Sequence, residues 1–387
     1  MSTVLLSVGD ASGDVYAGDF VRELRALRPE AQFVGMGGAE MAQAGVEIAV
    51  DQGDVAAGGL FELLPDLHRI VRAWRRMVAT LRARRPDLVV LVDSSGFNIP
   101  FARRAHRLGV PTLYYVSPQV WGWRTRRIYK IARWVNRLAV IFPFEPAVYA
   151  ETGVSVEFVG HPLVERLSES SAKLDRESAR SALGLDPDAS IVALLPGSRR
   201  SEMRHLLPLQ LDTARVLHAR DARIGFVLPR ASSVDRALLE EYIRRAQLPS
   251  LLQIDVVDGR AHEVLRAADA ALLKPGTSTL EAALLGCPQV VAARASRLTA
   301  ALLRRLVRVD SLTMPNLIAR EPIVPEFLQE AADPERIADA IQSLLAGPAR
   351  VRQLERFADL RESLSQGGAA RRAAEIAAEM IVARLGP

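Results

Sequence analysis

The stretch Leu88-Val89-Val90-Leu91-Val92 is a continuous apolar run, and Asp93-Ser94-Ser95-Gly96 follows it directly. A strand that is apolar on both faces is typical of a parallel sheet covered by helices on both sides. Similar runs alternate with amphipathic stretches through the first half of the chain, at Val4–Val8, Phe33–Gly35, Thr112–Val116, Leu138–Phe142 and Val156–Val159. The pattern predicts repeated βα units and an open parallel sheet of the α/β class.

The second half repeats this alternation after a polar segment, Leu167–Asp188, which we interpret as a linker with a short helix. Its apolar runs are Ser190–Leu195, Arg223–Leu228, Leu252–Val257, Ala270–Leu273 and Pro288–Ala292. We therefore expect two Rossmann-like domains, residues 1–166 and 167–350, facing each other across a ligand cleft. Helices in 351–387 are expected to pack back on the first domain.

The composition is that of a globular protein. Of 387 residues, 49% are hydrophobic and 25% are charged, which excludes a disordered chain. No apolar run is long enough to span a bilayer, and the N-terminus reads as a strand rather than a signal peptide. Cys287 is the only cysteine, so a reducing compartment such as the cytoplasm is expected. The net charge is +5, and a basic protein has three obvious candidate partners: nucleic acid, an anionic membrane surface and phosphorylated substrates.

Two strand ends in the first half carry candidate site residues. The loop Gly9-Asp10-Ala11-Ser12-Gly13-Asp14 allows a tight turn, and Ser12 or Asp14 could cap the following helix. It is neither a dinucleotide fingerprint nor a P-loop, and it could simply join strand to helix. Asp93 lies at a strand end, where α/β proteins bind ligands, which makes it a candidate general base. It could instead cap the following helix or accept hydrogen bonds from loop amides.

The second half has two comparable loops. Pro196-Gly197-Ser198-Arg199 combines a turn that presents free amides with an arginine fork, which suits a diphosphate. In Gly276-Thr277-Ser278-Thr279-Leu280-Glu281, Ser278 and Glu281 fit a capping box. Glu281 could instead accept hydrogen bonds from ribose hydroxyls, but the residues alone favour the cap.

Apolar residues next to arginines raise the question of a membrane surface. Leu67–Leu81 carries Trp74 and Met77 on an apolar stripe flanked by arginines, which fits a core-covering helix or a membrane-surface helix. Helices that cover a core are the more common of the two kinds, so this pattern alone favours a core-covering helix. Leu298–Val309 poses the same choice. The motif Ser117-Pro118-Gln119-Val120-Trp121-Gly122-Trp123-Arg124 could hold an apolar, phosphorylated ligand or lie at a membrane surface. Trp121 and Trp123 could instead be packing residues, but we favour the functional interpretation.

Taken together, these motifs resemble the lipid-A-disaccharide synthases, glycosyltransferases of the two-domain GT-B type. The most specific stretch runs from Tyr115 to Arg124. The motifs that also match, in the same order, are Phe142-Pro143-Phe144-Glu145, Phe158-Val159-Gly160-His161-Pro162-Leu163, Leu194–Arg199, Gly276–Glu281, Met314-Pro315-Asn316-Leu317 and Glu326-Phe327-Leu328-Gln329. Two departures are Asp10, where the family usually has Glu, and Lys274-Pro275, where it has a small pair.

The resemblance implies an inverting transfer of 2,3-diacylglucosamine from its UDP derivative to the 6-hydroxyl of 2,3-diacylglucosamine 1-phosphate (lipid X). Asp93 would remove the acceptor proton, Arg199 would hold the diphosphate and Glu281 the ribose. The donor set it implies is Gly197, Ser198, Arg199, Gly276, Thr277, Ser278, Glu281, Asn316 and Gln329. The acceptor and lipid set is Asp10, Ser12, Gly13, Asn98, Ser117, Gln119, Trp121 and Arg124.

The same resemblance implies particular partners. The diacylated substrates imply peripheral binding to the cytoplasmic face of the inner membrane, which favours an arginine stripe as the membrane face. No cofactor or metal is expected, since the one DxD, Asp186-Pro187-Asp188, lies in the polar linker. Nucleic-acid binding is not expected, and a homodimer is possible. The alternatives are a GT-B transferase with another UDP-sugar or lipid acceptor, and an inactive relative that binds UDP or lipid.

Overall fold

The structure is a computed structural model that describes residues 2–55, 63–119, 126–171, 175–294 and 311–385. The chain forms two compact units. The first consists of Met1–Glu165 and Leu364–Pro387, and the second of Arg166–Ser363. The second unit therefore retains most of a helix, Pro348–Leu364, that the sequence analysis grouped with the C-terminal helices.

The first unit is built on a seven-stranded parallel sheet in the described residues, with the order β3-β2-β1-β4-β5-β6-β7. Its strands are β1 (Thr3–Val8), β2 (Gln32–Gly37), β3 (Glu47–Asp51), β4 (Leu88–Val92), β5 (Thr112–Tyr115), β6 (Arg137–Val140) and β7 (Ser155–Phe158). Its first helices are α1 (Ala11–Leu27), α2 (Ala39–Gln43), α3 (Leu63–Arg84), α4 (Ser95–Arg107), α5 (Arg127–Trp134), α6 (Glu145–Tyr149) and α7 (Pro162–Ser171), the last of which crosses into the second unit. The central strands β1 and β4 are buried on both faces, as their continuous apolar runs predict.

In the described part of the second unit, six strands form a parallel sheet with the order β10-β9-β8-β11-β12-β13. Its strands are β8 (Ser190–Leu195), β9 (Ile224–Arg230), β10 (Ile254–Asp258), β11 (Ala270–Leu273), β12 (Gln289–Ala293) and β13 (Glu326–Leu328). The helices that follow α7 are α8 (Arg176–Leu183), α9 (Arg200–Arg220), α10 (Arg236–Arg245), α11 (Ala261–Ala267), α12 (Thr277–Leu284), α13 (Met314–Ala319), α14 (Pro334–Leu345), α15 (Pro348–Leu364) and α16 (Ala369–Leu385), and α16 returns to the first unit.

Each sheet reverses its winding direction once, between β1 and β4 in the first and between β8 and β11 in the second. At such a point the loops after two adjacent strands leave in opposite directions and open a crevice for a ligand. The two switch points bring together the loops that the sequence analysis singled out: Gly9–Asp14 with Asp93–Gly96, and Pro196–Arg199 with Lys274–Gly276.

The predicted apolar runs all form strands, and the described residues contain two further strands outside these runs. Both β3 and β13 are edge strands, and neither is fully buried. In the described part of the predicted linker, Leu167–Asp188, the structure has the end of α7 and the whole of the short helix α8. Within the described residues, no helix is long and apolar enough to cross a membrane.

Candidate active site

The loops after β1 and β4 lie side by side at the first switch point. Val8 at the end of β1 pairs with Val92 at the end of β4. The two loops approach so closely that a Cβ on Gly9 would lie 2.1 Å from Ser94 Oγ. Only glycine fits there, so the first loop does more than join a strand to a helix: it contacts the loop that carries Asp93.

Asp93 and Ser94 both adopt left-handed backbone conformations, with φ values of 45° and 46°. Hydrogen bonds hold this turn in place: the Asp93 N–H donates to the Val116 carbonyl at 3.1 Å. The Asp93 carbonyl accepts from Asn98 Nδ2 at 3.0 Å and from Tyr114 Oη at 2.5 Å. Strained backbone that is fixed this firmly is concentrated at functional sites.

Asn98 is fully buried behind this turn. Its Oδ1 accepts a hydrogen bond from Ser7 Oγ at 2.6 Å, and its Nδ2 also donates to the carbonyls of Ser7 and Val92. All the polar groups of this side chain are therefore used inside the protein. The structure gives Asn98 the role of positioning the Asp93 loop, in place of the predicted acceptor contact.

The Asp93 carboxyl group is half-buried and has a raised pKa. The pKa of Asp93 is raised from 3.8 to about 7. Burial makes the largest contribution and the negative charge of Asp10 adds to it, while a hydrogen bond from the backbone of Ser94 partly opposes the rise. Helix α4 has Ser94 as its N-cap residue, and no side chain caps it. The structure therefore favours the general base over the helix cap, because a carboxyl that titrates near neutral pH can accept a proton from a substrate hydroxyl.

Helix α1 is capped by Asp10, whose Oδ1 accepts from the Gly13 N–H at 2.6 Å. The expectation that Ser12 or Asp14 caps this helix is wrong. Ser12 is exposed at the start of α1. Asp14 is buried and accepts instead from the backbone N–H of Gly38 at 2.6 Å, ahead of α2. A shorter side chain than the family's usual Glu is thus well matched to the cap at position 10.

The second switch point holds an anion supplied by the chain itself. Gly197 has a φ of 118°, and a Cβ there would lie 2.2 Å from Glu202 Oε2. That oxygen accepts hydrogen bonds from the backbone N–H groups of Ser198 at 3.0 Å and Arg199 at 3.2 Å. The two amides therefore bind an anion, the Glu202 carboxylate, while the predicted diphosphate at this loop stays a prediction.

Lys274 completes this arrangement from the adjacent strand. Its backbone N–H donates to the Leu195 carbonyl at 3.3 Å, and its Nζ lies 3.2 Å from Glu202 Oε1. The departure from the family pattern at position 274 thus adds a cation at the anion-binding loop. Sequence reasoning missed Glu202, although a glutamate three residues after Arg199 is itself a helix-start signal.

Glu281 does not form the predicted capping box with Ser278. Helix α12 has Gly276 as its N-cap residue, with a φ of 145° and no capping side chain. Ser278 Oγ is buried without a hydrogen-bond partner among the described residues. Glu281 Oε2 faces His262 Nε2 at 3.4 Å. The Glu281 carboxylate therefore does not cap helix α12. Thr277, the first residue of that helix, is exposed one turn before Glu281.

Asn316 and Gln329, the remaining residues predicted to bind the UDP-sugar, differ in how deeply they are buried. Asn316 is buried, and its side chain exchanges hydrogen bonds with the backbone of Val324 at 2.8 and 2.7 Å and donates to Glu326 at 3.1 Å. The structure thus assigns Asn316 to holding β13 in place rather than to a ligand. Gln329 directly follows β13 with a φ of 54° and is half-buried.

The residues of the motif Ser117–Arg124, predicted to contact lipid, have different surroundings in the structure. Ser117 is buried, and its Oγ lies 2.8 Å from Tyr149 Oη, so it is part of the interior. Gln119 is exposed. Trp121 and Arg124 lie outside the described residues, as does the segment 298–309.

Helix α3 packs its apolar stripe into the core. Met77 is completely buried, and the Trp74 ring lies 5.3 Å from Phe97 in an edge-on contact. The suggestion that Trp74 and Met77 face a membrane is therefore wrong. A different pair on this helix is exposed, Leu67 by 56% and Val71 by 40%.

The comparisons with known proteins agree with this geometry. The family model for lipid-A-disaccharide synthetase matches residues 4–381. The lipid-A-disaccharide synthase of Geobacter metallireducens is 41% identical over 98% of this chain and 97% of its own length. That of Anaeromyxobacter sp. strain K is 42% identical, and 96% of each chain is covered.

Solved structures show the same fold at low sequence identity. The UDP-GlcNAc 2-epimerase of Neisseria meningitidis is 13% identical and matches with a TM-score of 0.65, over 97% of this chain and all of its own. The calicheamicin glycosyltransferase CalG4 is 18% identical, with a TM-score of 0.61 and full coverage of both chains. The fold is therefore that of the GT-B glycosyltransferases and their relatives, and the chain belongs to the lipid-A-disaccharide synthetase family.

Proposed function

We propose that this glycosyltransferase transfers 2,3-diacylglucosamine from UDP-2,3-diacylglucosamine to the 6-hydroxyl of 2,3-diacylglucosamine 1-phosphate, and acts as a lipid-A-disaccharide synthase. The reaction makes a β-1,6 disaccharide and releases UDP. A single in-line attack on the α-linked donor inverts the anomeric carbon. No covalent intermediate is needed.

The observation that carries this proposal is the pKa of Asp93, raised to about 7 beside the first switch point. A base removes the acceptor proton most effectively when its pKa lies near the working pH. UDP leaves as a stabilised anion, so one carboxyl group suffices where a glycosidase needs a second as acid. Tyr114 and Asn98 hold the Asp93 turn without occupying its carboxylate.

On the donor side, positive charge would stabilise the departing diphosphate. The amides of Ser198 and Arg199, the Arg199 side chain and Lys274 supply it, and the diphosphate would displace the Glu202 carboxylate from the loop. We propose that this charge replaces a metal ion in the reaction, and that Glu281, beside the exposed start of α12, accepts from the ribose hydroxyls.

The deciding experiment measures UDP release from purified protein in mixed micelles. UDP-2,3-diacylglucosamine is supplied with and without lipid X, each in the presence and absence of EDTA. We expect release only with lipid X, and at the same rate with EDTA. Release that EDTA abolishes would overturn the metal-free reaction. UDP binding without release would favour another acceptor or an inactive relative.

Replacing Arg199 by Ala is expected to weaken UDP and UDP-sugar binding about tenfold, because a charge-assisted hydrogen bond to phosphate contributes roughly 1.5–3 kcal/mol. Isothermal titration with UDP measures the change. Arg200→Ala is the matched control, since Arg200 is also exposed and adjacent but begins helix α9. Equal losses in both variants would mean that general charge, not a diphosphate clamp, governs affinity.

We further propose that the enzyme binds the cytoplasmic face of the inner membrane through the exposed side of α3. Leu67 and Val71 lie four residues apart and share one helix face. The exposed arginines Arg72, Arg75 and Arg76 add charge that anionic lipid headgroups attract. The homodimer stays a prediction, which light scattering of the purified protein would test.

A further inference from the structure

A groove in the first unit runs along helix α4, between α3 and α5, and has a volume of about 560 Å³. It begins at Ser95, two residues after Asp93, and continues past Arg107 at the end of α4. Thirteen helical residues span roughly 20 Å. The groove therefore leads directly from the candidate base along the surface of the unit.

The groove is cationic. Among the described residues that line it, none is a carboxylate and five carry positive charge: Arg103, Arg104, Arg107, Arg127 and Lys130. Arg127 donates to Ser95 Oγ at 3.0 Å, next to the Asp93 turn. Arg104 Nε is buried without a hydrogen-bond partner in the described part of the chain. Such a concentration of cations around a concave surface favours an anionic ligand.

The groove also has apolar walls. Trp74 and Val78 contribute from α3, Ile99 and Pro100 from α4, and Trp134 from α5. Arg103 lies 5.5 Å over the Trp134 ring, which fixes that wall. A free phosphate would use the cations alone, whereas a phosphorylated lipid would use both the cations and the apolar surface.

We propose that this groove binds the phosphomonoester of the acceptor lipid, with Arg127 and Lys130 at the phosphate and the apolar walls against an acyl chain. The assignment rests on the proposed function, in which Asp93 takes the proton of the 6-hydroxyl. The 1-phosphate and the 6-hydroxymethyl group are attached to C1 and C5, the two carbons that flank the ring oxygen. The phosphate must therefore lie near Asp93 without contacting its carboxylate. Arg127, which donates to Ser95 Oγ at 3.0 Å, and Lys130, which lines the same groove, are suitably placed for it.

The binding test uses dodecyl phosphate as the probe, read by quenching of tryptophan fluorescence in the full chain. Lys130→Gln is expected to weaken binding about tenfold, the loss typical of a charge-assisted hydrogen bond. Arg133→Gln is the matched control, because Arg133 is exposed on the same helix and does not line the groove. It should change affinity less than twofold.

A second variant tests the shape of the groove. A Cβ added at Gly96 would meet no atom within 4 Å, so Gly96→Leu should fold normally and fill the groove entrance. We expect loss of dodecyl phosphate binding with an unchanged thermal midpoint. Unchanged binding by this folded variant would overturn the assignment, and so would equal losses in Lys130→Gln and Arg133→Gln.

Two further comparisons separate the possible sources of the phosphate. Inorganic phosphate and dodecyl maltoside should each bind at least tenfold more weakly than dodecyl phosphate. Vesicles of phosphatidylglycerol should bind the Lys130→Gln and Gly96→Leu variants as well as the wild type. A proportional loss of vesicle binding in both variants would make the groove a bilayer contact and overturn an acceptor site.

Kinetics distinguish this inference from the proposed function. Lys130→Gln should raise the KM for lipid X about tenfold, while kcat and the KM for the UDP-sugar stay within twofold. An unchanged KM for lipid X in an active enzyme would overturn the groove assignment alone. Selective dodecyl phosphate binding by a protein that never releases UDP would overturn the proposed function and leave the groove standing.

Discussion

Asp93→Asn is expected to lower kcat about 10²–10⁴-fold, the usual contribution of a positioned general base. Asparagine keeps the shape of the side chain but cannot accept the acceptor proton. The dissociation constant of UDP should stay near the wild-type value, because the donor loop lies in the other unit. Single-turnover kinetics and titration with UDP measure the two quantities separately.

The wild-type rate should also rise with pH through about 7, as the Asp93 carboxyl loses its proton.

The free energy of unfolding, by contrast, should fall as the pH rises. The pKa of Asp93 is raised in the folded protein, so its contribution to stability is complete below about pH 4 and is lost as the pH rises through about 7. Asp93→Asn should therefore be more stable than the wild type at pH 8, by an amount of the order of 1–4 kcal/mol.

The control for both measurements is Asp188→Asn, which removes an exposed carboxylate in the second unit. It should alter neither kcat nor the pH dependence of unfolding. If Asp93→Asn instead weakens UDP binding as strongly as it slows turnover, Asp93 acts by holding the fold, and another group removes the proton.

Met77→Ser is expected to reduce the free energy of unfolding by about 2–5 kcal/mol, because it replaces a fully buried side chain with a small polar one. Leu67→Ser and Val71→Ser should change it by less than about 0.5 kcal/mol, since these side chains are largely exposed. Urea denaturation measures all three.

For vesicle binding, the substitutions of the exposed residues should have the larger effect and that of the buried Met77 the smaller one. The double variant with serine at 67 and 71 is expected to lose affinity for phosphatidylglycerol vesicles while it remains folded. Met77→Ser, measured where it is still folded, should bind as the wild type does. A folded double variant with undiminished vesicle binding would exclude this face of α3 as the membrane contact.

The regular elements were predictable from sequence where burial imposes a simple pattern. Strands such as β4 are covered on both faces, so every residue is apolar. The edge strand β3 pairs on one side only, its burial is partial, and no continuous run marks it. Strand β13 has three residues, too few to form a period.

The candidate site was predictable at its strand ends and less so in its side-chain partners. The position of Asp93 after β4 follows from topology, but the pKa of Asp93 depends on its burial and then on Asp10, which follows a different strand. Tertiary contacts can also override what a local sequence pattern predicts. Ser278 and Glu281 match a capping box in sequence, yet Glu281 lies against His262. Amphipathic spacing in α3 identifies an apolar stripe without saying what covers it.

The return of helix α16 to the first unit has a consequence for biosynthesis. This helix packs on α1, with Ala373, Ile376 and Ile381 fully buried, and its first N–H donates to Glu165 at 2.6 Å. Residues 166–363 are contiguous, so the second unit can complete its core while the chain is still attached to the ribosome. The first unit begins synthesis earlier but leaves part of α1 uncovered until residues 369–385 emerge, so the unit that is started first is the last to mature.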